Sequence, residues 1–216
     1  MGEALRKNES LDGVFYHDLD ALVIFRKSTH LYADNILTYA KALLGVKYHE
    51  NPCYAIFTLE DVPWNELENK LDLLLQSSPY AYFYPGQVVS ANHIAQCKKS
   101  LDLPTIQLYY QAIVRSLLLQ RENEAIQSTS ELLFYHLKPN LSLLGAIYLK
   151  EKLLYTCALL TGSEPPASPL SLSPTIYDDY EFYKKNISVT VALLRKHPLS
   201  SLTQSALEFF ITHINQ

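Results

Sequence analysis

Residues 141–162 read LSLLGAIYLKEKLLYTCALLTG, a long and largely apolar run that predicts a helix with apolar side chains on several faces. Such a helix is buried on several sides, so the segments around it must supply helices to cover it. On its amino-terminal side, ENEAIQSTSELLFYHLK (122–138) directs Ala125, Leu132, Leu133 and Leu137 toward a core and stops before Pro139. PTIQLYYQAIVRSLLLQ (104–120) opens with Pro104, a favoured first-turn residue, and SANHIAQCKKSLD (90–102) opens at Ser90, a good N-cap. On its carboxyl-terminal side, GSEPPASPLSLSP (162–174) is too rich in proline and serine for a helix and reads as a surface loop. YDDYEFYKKNISVTVALLRK (177–196) then restores helical periodicity. LTQSALEFFITHINQ (202–216) ends the chain on an amphipathic stripe of Leu207, Phe210, Ile211 and Ile214.

The first ninety residues have a different texture. A polar leader, residues 1–10, precedes LDGVFYH (11–17) and DALVIFRK (20–27), whose β-branched and aromatic residues predict a hairpin turning at Asp18, Leu19 and Asp20. LYADNILTYAKALLG (31–45) predicts a helix capped by Ser28 or Thr29 and stopped at Gly45, and CYAIFTL (53–59) a third strand. WNELENKLDLLLQSS (64–78) predicts a second helix behind Val62-Pro63, with Leu67, Leu71 and Leu74 on one face and Trp64 as its anchor. YAYFYPGQVVS (80–90) predicts a closing extended segment that turns at Pro85-Gly86, with Tyr80, Tyr82 and Tyr84 on one side. The expected fold class is therefore α+β: a small α/β layer domain of order β-β-α-β-α-β over residues 11–90, followed by a helical connector or bundle over 91–216.

Composition narrows the function. A formal charge of -4 and a pI near 6.0 argue against a phosphate-binding face on this chain, because duplex binders carry a basic patch. Contact with DNA must come from elsewhere. The amino terminus lacks the apolar core of a signal peptide, and the apolar runs are interrupted well short of a membrane span, so a cytoplasmic location without membrane contact is expected. Cys53, Cys97 and Cys157 are widely spaced without a C-x-x-C pair, so buried reduced thiols are expected rather than a zinc site or disulfides.

No catalytic constellation is legible. With 6 glycines and no Gly-rich phosphate motif, a nucleotide cradle is absent, and no two of the seven histidines share an i, i+4 spacing. No metal ligand set and no cofactor follow from the residues. HDLD (17–20) offers Asp18 and Asp20 beside His17, which suit local turn hydrogen bonding before they suit a cation. YDDYEFY (177–183) places Asp178, Asp179 and Glu181 where a helix starts, which suits the helix dipole first and an acidic partner patch second. The tyrosine row suits a hydrophobic layer first. As a ligand site, it combines with the helical tyrosines into a pocket lined by Tyr80, Tyr82, Tyr109 and Tyr110.

Two parts of the chain carry a family resemblance. SALEFFITHINQ (205–216) resembles the opening of an AraC-type DNA-binding region, through Ala206, Leu207, Phe210, His213 and Ile214. The strands and helices from DALVIFRK to YAYFYPGQVVS resemble the middle region of AraC-type response regulators, a degenerate nucleotide-cyclase fold, and AIVRSLLLQRENEAIQSTSELLFYHL (112–137) resembles their helical connector. No Gly-Gly pair is present and no receiver signature precedes Leu11, so neither cyclase activity nor a phosphoacceptor is implied. The resemblance implies a non-catalytic sensory, coupling and dimerisation region. It would relay an upstream or effector signal, through Leu207, Phe210, Ile211 and Ile214, to a DNA-binding end beyond the residues read here. A homodimer is expected, touching DNA only through that end. A small-molecule module using the tyrosine pocket and a free-standing helical adaptor are the alternatives.

Overall fold

The structure, a computed structural model, describes residues 13–17, 21–25, 55–57, 66–99, 102–164 and 171–198, together with 200, 203, 205 and 206. The backbone divides into two compact units, Met1–Leu43 and Leu44–Gln216. In the first unit, β1 (Gly13–His17) and β2 (Ala21–Phe25) form the expected antiparallel hairpin, with Val14 opposite Ile24 and Phe15 opposite Val23. The helix expected over 31–45 lies outside the described residues, as do Trp64 and the side chains of Asp18 and Asp20.

In the second unit, β3 (Ala55–Phe57) pairs in parallel with β4 (Val88–Ser90), Ile56 facing Val89. Between them run α1 (Leu67–Ser77) and a 3-10 helix, Ser78–Phe83. After β4 come α2 (Ala91–Cys97), α3 (Leu103–Leu118), α4 (Glu122–Glu131, extended by a π-helical turn Leu132–Leu137), α5 (Leu143–Thr161) and α6 (Ile176–Lys196).

The α+β expectation is corrected here. The described residues are mostly helical, and their strands make only two separate two-stranded pairs instead of one layer under helices. The degenerate cyclase-like arrangement falls with that layer. YAYFY decides the difference. A strand would send Ala81 and Phe83 to the face opposite Tyr80 and Tyr82, whereas all four consecutive side chains are buried. The tight helix achieves this, helped by Pro79 in its first turn, and the preceding Ser77 hydroxyl donates back to the Leu73 carbonyl at 2.7 Å.

The helical core follows the sequence more closely. Asp102 caps α3, accepting from the Thr105 amide at 3.2 Å and its hydroxyl at 2.7 Å; these bonds hold its carboxyl below the usual carboxylate range. Gln120 and Leu141, both at positive φ, make the tight turns that end α3 and precede α5. Gly162 closes α5 in the left-handed conformation, as a C-terminal glycine should. Ala125, Leu132, Leu133 and Leu137 are all buried, and α5 is buried around most of its circumference.

Contacts fix the directions of the helices. Glu122 meets Ser188 and Lys138 meets Tyr177, so α6 runs antiparallel to α4. Lys150 meets Asp179 and Cys157 lies beside Thr190, so α6 runs in the same direction as α5. The first turn of α6 therefore lies beside the middle of α5. Among the described residues no helix is long and apolar enough to cross a membrane.

Candidate functional site

Within YDDYEFY the two aspartates part company. Asp178 completes a capping box with Thr175: its Oδ2 accepts from the Thr175 amide at 3.0 Å, and the Thr175 hydroxyl accepts from the Asp178 amide at 3.1 Å. Asp179, about 100° further round the helix, points inward and is fully buried.

Four donors meet Asp179 there. Lys150 Nζ, from the middle of α5, donates to Oδ1 at 2.7 Å, with side-chain exposures of 8% for the lysine and 0% for the aspartate. The Ser173 hydroxyl donates to the same oxygen, and the Ser173 amide lies 3.3 Å from both. Tyr82 Oη, from the 3-10 helix, donates to Oδ2 at 2.9 Å. Lys150 also donates to Ser173 Oγ at 3.2 Å, and its ammonium stands 5.3 Å from the Phe182 ring centre. A buried carboxylate with one cation and three neutral donors is well compensated.

The neighbouring phenols show the same enclosure. Burial first, and then the Asp179 charge, push the Tyr82 hydroxyl far above the ordinary tyrosine range, and Tyr183 is raised by the same two causes. Tyr82 is thus a permanent donor. Tyr183 Oη is buried without a hydrogen-bond partner among the described residues. The cluster is sealed by its own side chains, so its chemistry is that of a fixed tie between three segments distant in sequence: residues 78–83, α5, and the start of α6.

The four tyrosines expected to line a pocket are buried or half-buried, but their polar groups take different partners. Tyr82 binds Asp179; Tyr109 Oη lies 3.0 Å from His136 Nε2; Tyr110 Oη pairs with Thr156 Oγ1. The Tyr80 ring sits under Lys98 Nζ at 5.2 Å. None of them lines the open groove between α3 and α4, which is bordered by Leu108, Ala112 and Arg115 on one side and Glu124, Gln127 and Glu131 on the other. Leu207, Phe210, Ile211 and Ile214 lie outside the described residues.

Two features escaped the sequence. Lys150 is one: a cation in the midst of IYLKEKLLY that ends up facing the core was the signal for an inward acid. The other is Cys97, which is half-buried rather than sealed. Its Sγ lies 3.7 Å from Nδ1 and 3.6 Å from Nε2 of His93, while Tyr84 Oη lies 3.3 Å from that Nε2. Near-equal distances place the sulfur against the ring between its nitrogens, so the contact is one of packing rather than a directed proton path. Among the described residues no three His, Cys, Asp or Glu side chains gather into a metal site. Compared with protein-family profiles, with curated proteins and with solved structures, the chain matches none.

Proposed function

We propose that the chain is a non-catalytic coupling and dimerisation region of a transcription regulator of the AraC kind, passing an upstream or effector signal along its helical unit toward a DNA-binding region. The assignment to that kind of regulator rests on the resemblance in residues 205–216. The net charge of -4 leaves DNA contact to another region. The coupling rests on one observation, the Tyr82–Asp179–Lys150 tie.

A buried ion pair behaves as a unit, because losing one member leaves the other unpaired in a poor solvent for charge. A displacement of the 78–83 segment that withdraws the Tyr82 donor therefore acts directly on the first turn of α6. The far end of α6 is held as well: Gln120 Nε2 donates to the Leu194 carbonyl at 3.4 Å, and Arg195 donates to the Gln120 carbonyl at 3.2 Å. α6 is a rod of 21 residues, about 30 Å long, and the two ties hold it near its ends. A push at one end has a stiff path to the other, and two packings of such an element supply the two states that coupling needs.

The test is hydrogen exchange on the full chain carrying Tyr82→Phe. Coupling predicts faster exchange both in residues 78–83 and along α6 as far as Lys196. A change confined to residues 78–83 would remove the basis for the proposal.

A further inference from the structure

The open groove between α3 and α4 has a form that suits a third helix. Its α3 side presents Leu108, Ala112 and Leu119 in one stripe, with Leu108 66% and Leu119 39% exposed. Arg115 stands in the same stripe, and its guanidinium makes no ion pair among the described residues. The facing α4 side is acidic, with Glu124 and Glu131. The end of α6 opens onto this groove. Arg195 donates to the carbonyl of Gln120, in the turn that joins α3 to α4, and the small hollow that Arg195 borders shares Arg121, Asn123 and Glu124 with the groove. The chain therefore leaves α6 at the groove's mouth. Just beyond, Ser200 Oγ accepts from the Thr203 amide at 3.2 Å, as an N-cap does, and Thr203, Ser205 and Ala206 are helical and exposed. Residues 207–216 lie outside the described residues. Their sequence carries the stripe Leu207, Phe210, Ile211 and Ile214, which at helical spacing has Glu208 on one flank and His213 on the other.

We propose that residues 203–214 dock as a helix in the α3–α4 groove of their own molecule, running antiparallel to α3. Position selects this occupant. The segment is tethered a few residues from the mouth, which gives it an effective concentration there on the order of millimolar, more than a free partner ordinarily reaches. Length sets the register. Counted from Ser201 at the mouth, Glu208 comes about 10 Å into the groove and Ile214 about 20 Å. Counted from Gln120, Arg115 comes about 8 Å in and Leu108 about 18 Å. Glu208 thus meets Arg115, and Ile214 meets Leu108, charge on charge and apolar on apolar. His213, on the opposite flank, turns to the acidic wall. The groove is then a seat for the apolar stripe, and any partner that reads Leu207, Phe210, Ile211 and Ile214 must first displace it. This inference goes beyond the proposed coupling and does not depend on the Asp179 tie.

Hydrogen exchange at the amides of residues 207–214, in the full chain, tests the docking. A helix of this length is marginal in water by itself, so slow exchange there reports a surface beneath it. The wild-type chain is expected to exchange these amides at least about tenfold more slowly than an unstructured segment, at a rate unchanged over a hundredfold range of protein concentration. Ala112→Glu, at an exposed site, is expected to speed them about tenfold while circular dichroism and exchange in α5 stay as in the wild type. Arg115→Glu and Glu208→Arg are each expected to speed them about threefold, and the double swap to restore them. Unprotected amides in the wild type overturn the docking, and protection indifferent to Ala112→Glu overturns the groove as its seat. Protection that rises with concentration overturns the intramolecular occupant in favour of a second copy. A double swap that does not restore protection overturns the antiparallel register. None of these results bears on exchange along α6 in Tyr82→Phe, so the two proposals fail separately.

Discussion

Replacing Lys150 by methionine keeps the length of the stem and removes the only cation bonded to Asp179 among the described residues. Breaking a buried ion pair from one side costs about 3–5 kcal/mol. Three donors remain on Asp179, namely Tyr82 Oη, the Ser173 hydroxyl and the Ser173 amide. They keep part of the carboxylate solvated, so the expected loss is at the low end, about 3 kcal/mol. Asp179→Asn strands the ammonium instead. That cation keeps its bond to Ser173 Oγ and has a flexible stem that can reach for water, so about 2 kcal/mol is expected. If the two positions were independent, the double variant would lose about 5 kcal/mol. Because the charges vanish together, and asparagine still accepts through its one carbonyl oxygen while its amide donates to the hydroxyl on the other side, the double variant is expected to lose only about 2 kcal/mol, a coupling of about 3 kcal/mol. Urea unfolding of all four proteins, compared at constant m-value, measures this. Additivity to within about 0.5 kcal/mol, or a loss below about 1 kcal/mol for Lys150→Met, would refute the view of the cluster as one tie.

Tyr183→Phe deletes a buried hydroxyl that has no partner among the described residues, so thermal unfolding should show no loss and a gain of up to about 1 kcal/mol; a loss of more than that would mean the hydroxyl is bonded. Burial raises Tyr82, Tyr110 and Tyr183 above the ordinary tyrosine range. Their contribution is thus complete below the unfolded value of ~10 and is lost as pH rises above it, because the unfolded state alone releases the proton. Absorbance near 295 nm should accordingly show a fraction of phenols that ionise only together with unfolding. A Cβ on Gly145 would lie 2.7 Å from Leu137 Cδ2, 2.7 Å from Ser142 Oγ and 2.9 Å from Ile106 Cδ1, so Gly145→Ala should cost about 1–3 kcal/mol by overpacking; a silent substitution would show looser packing between α3 and α5. Burial pushes the Cys157 thiol up, so mass spectrometry after mild alkylation should find Cys97 modified well before Cys157, and equal rates would contradict their different burial.

What was legible in the sequence was local. Caps, stops and periodicity placed Pro104, Gly162 and the core positions of α4, because each depends on residues a few places away. The alternation in YAYFY was a true pattern with the wrong cause: two faces of a tight helix buried in one core give the same aromatic run as one face of a strand. Asp179 and Lys150 lie 29 positions apart in sequence and meet only because α5 and α6 run in the same direction. Nothing at that distance can be inferred from spacing, so one buried acid looked like a second helix-capping residue. The tyrosines were likewise visible as a resource but not as an arrangement, since Tyr82 finds its acceptor 97 positions away.

The double anchoring of α6 bears on which changes of length the chain can accept. Asp179 and Leu194 are held to different parts of the unit, and the helix between them spans about 22 Å. Deleting or inserting one residue there turns one end by about 100° relative to the other, so Asp179 and Leu194 could not both reach their partners. The segment between Gly162 and Ser173 joins the same two helices, and none of its described residues bonds to Asp179 or Leu194. Length variation among descendants of this sequence should therefore collect in that connection, while α6 changes by substitution alone.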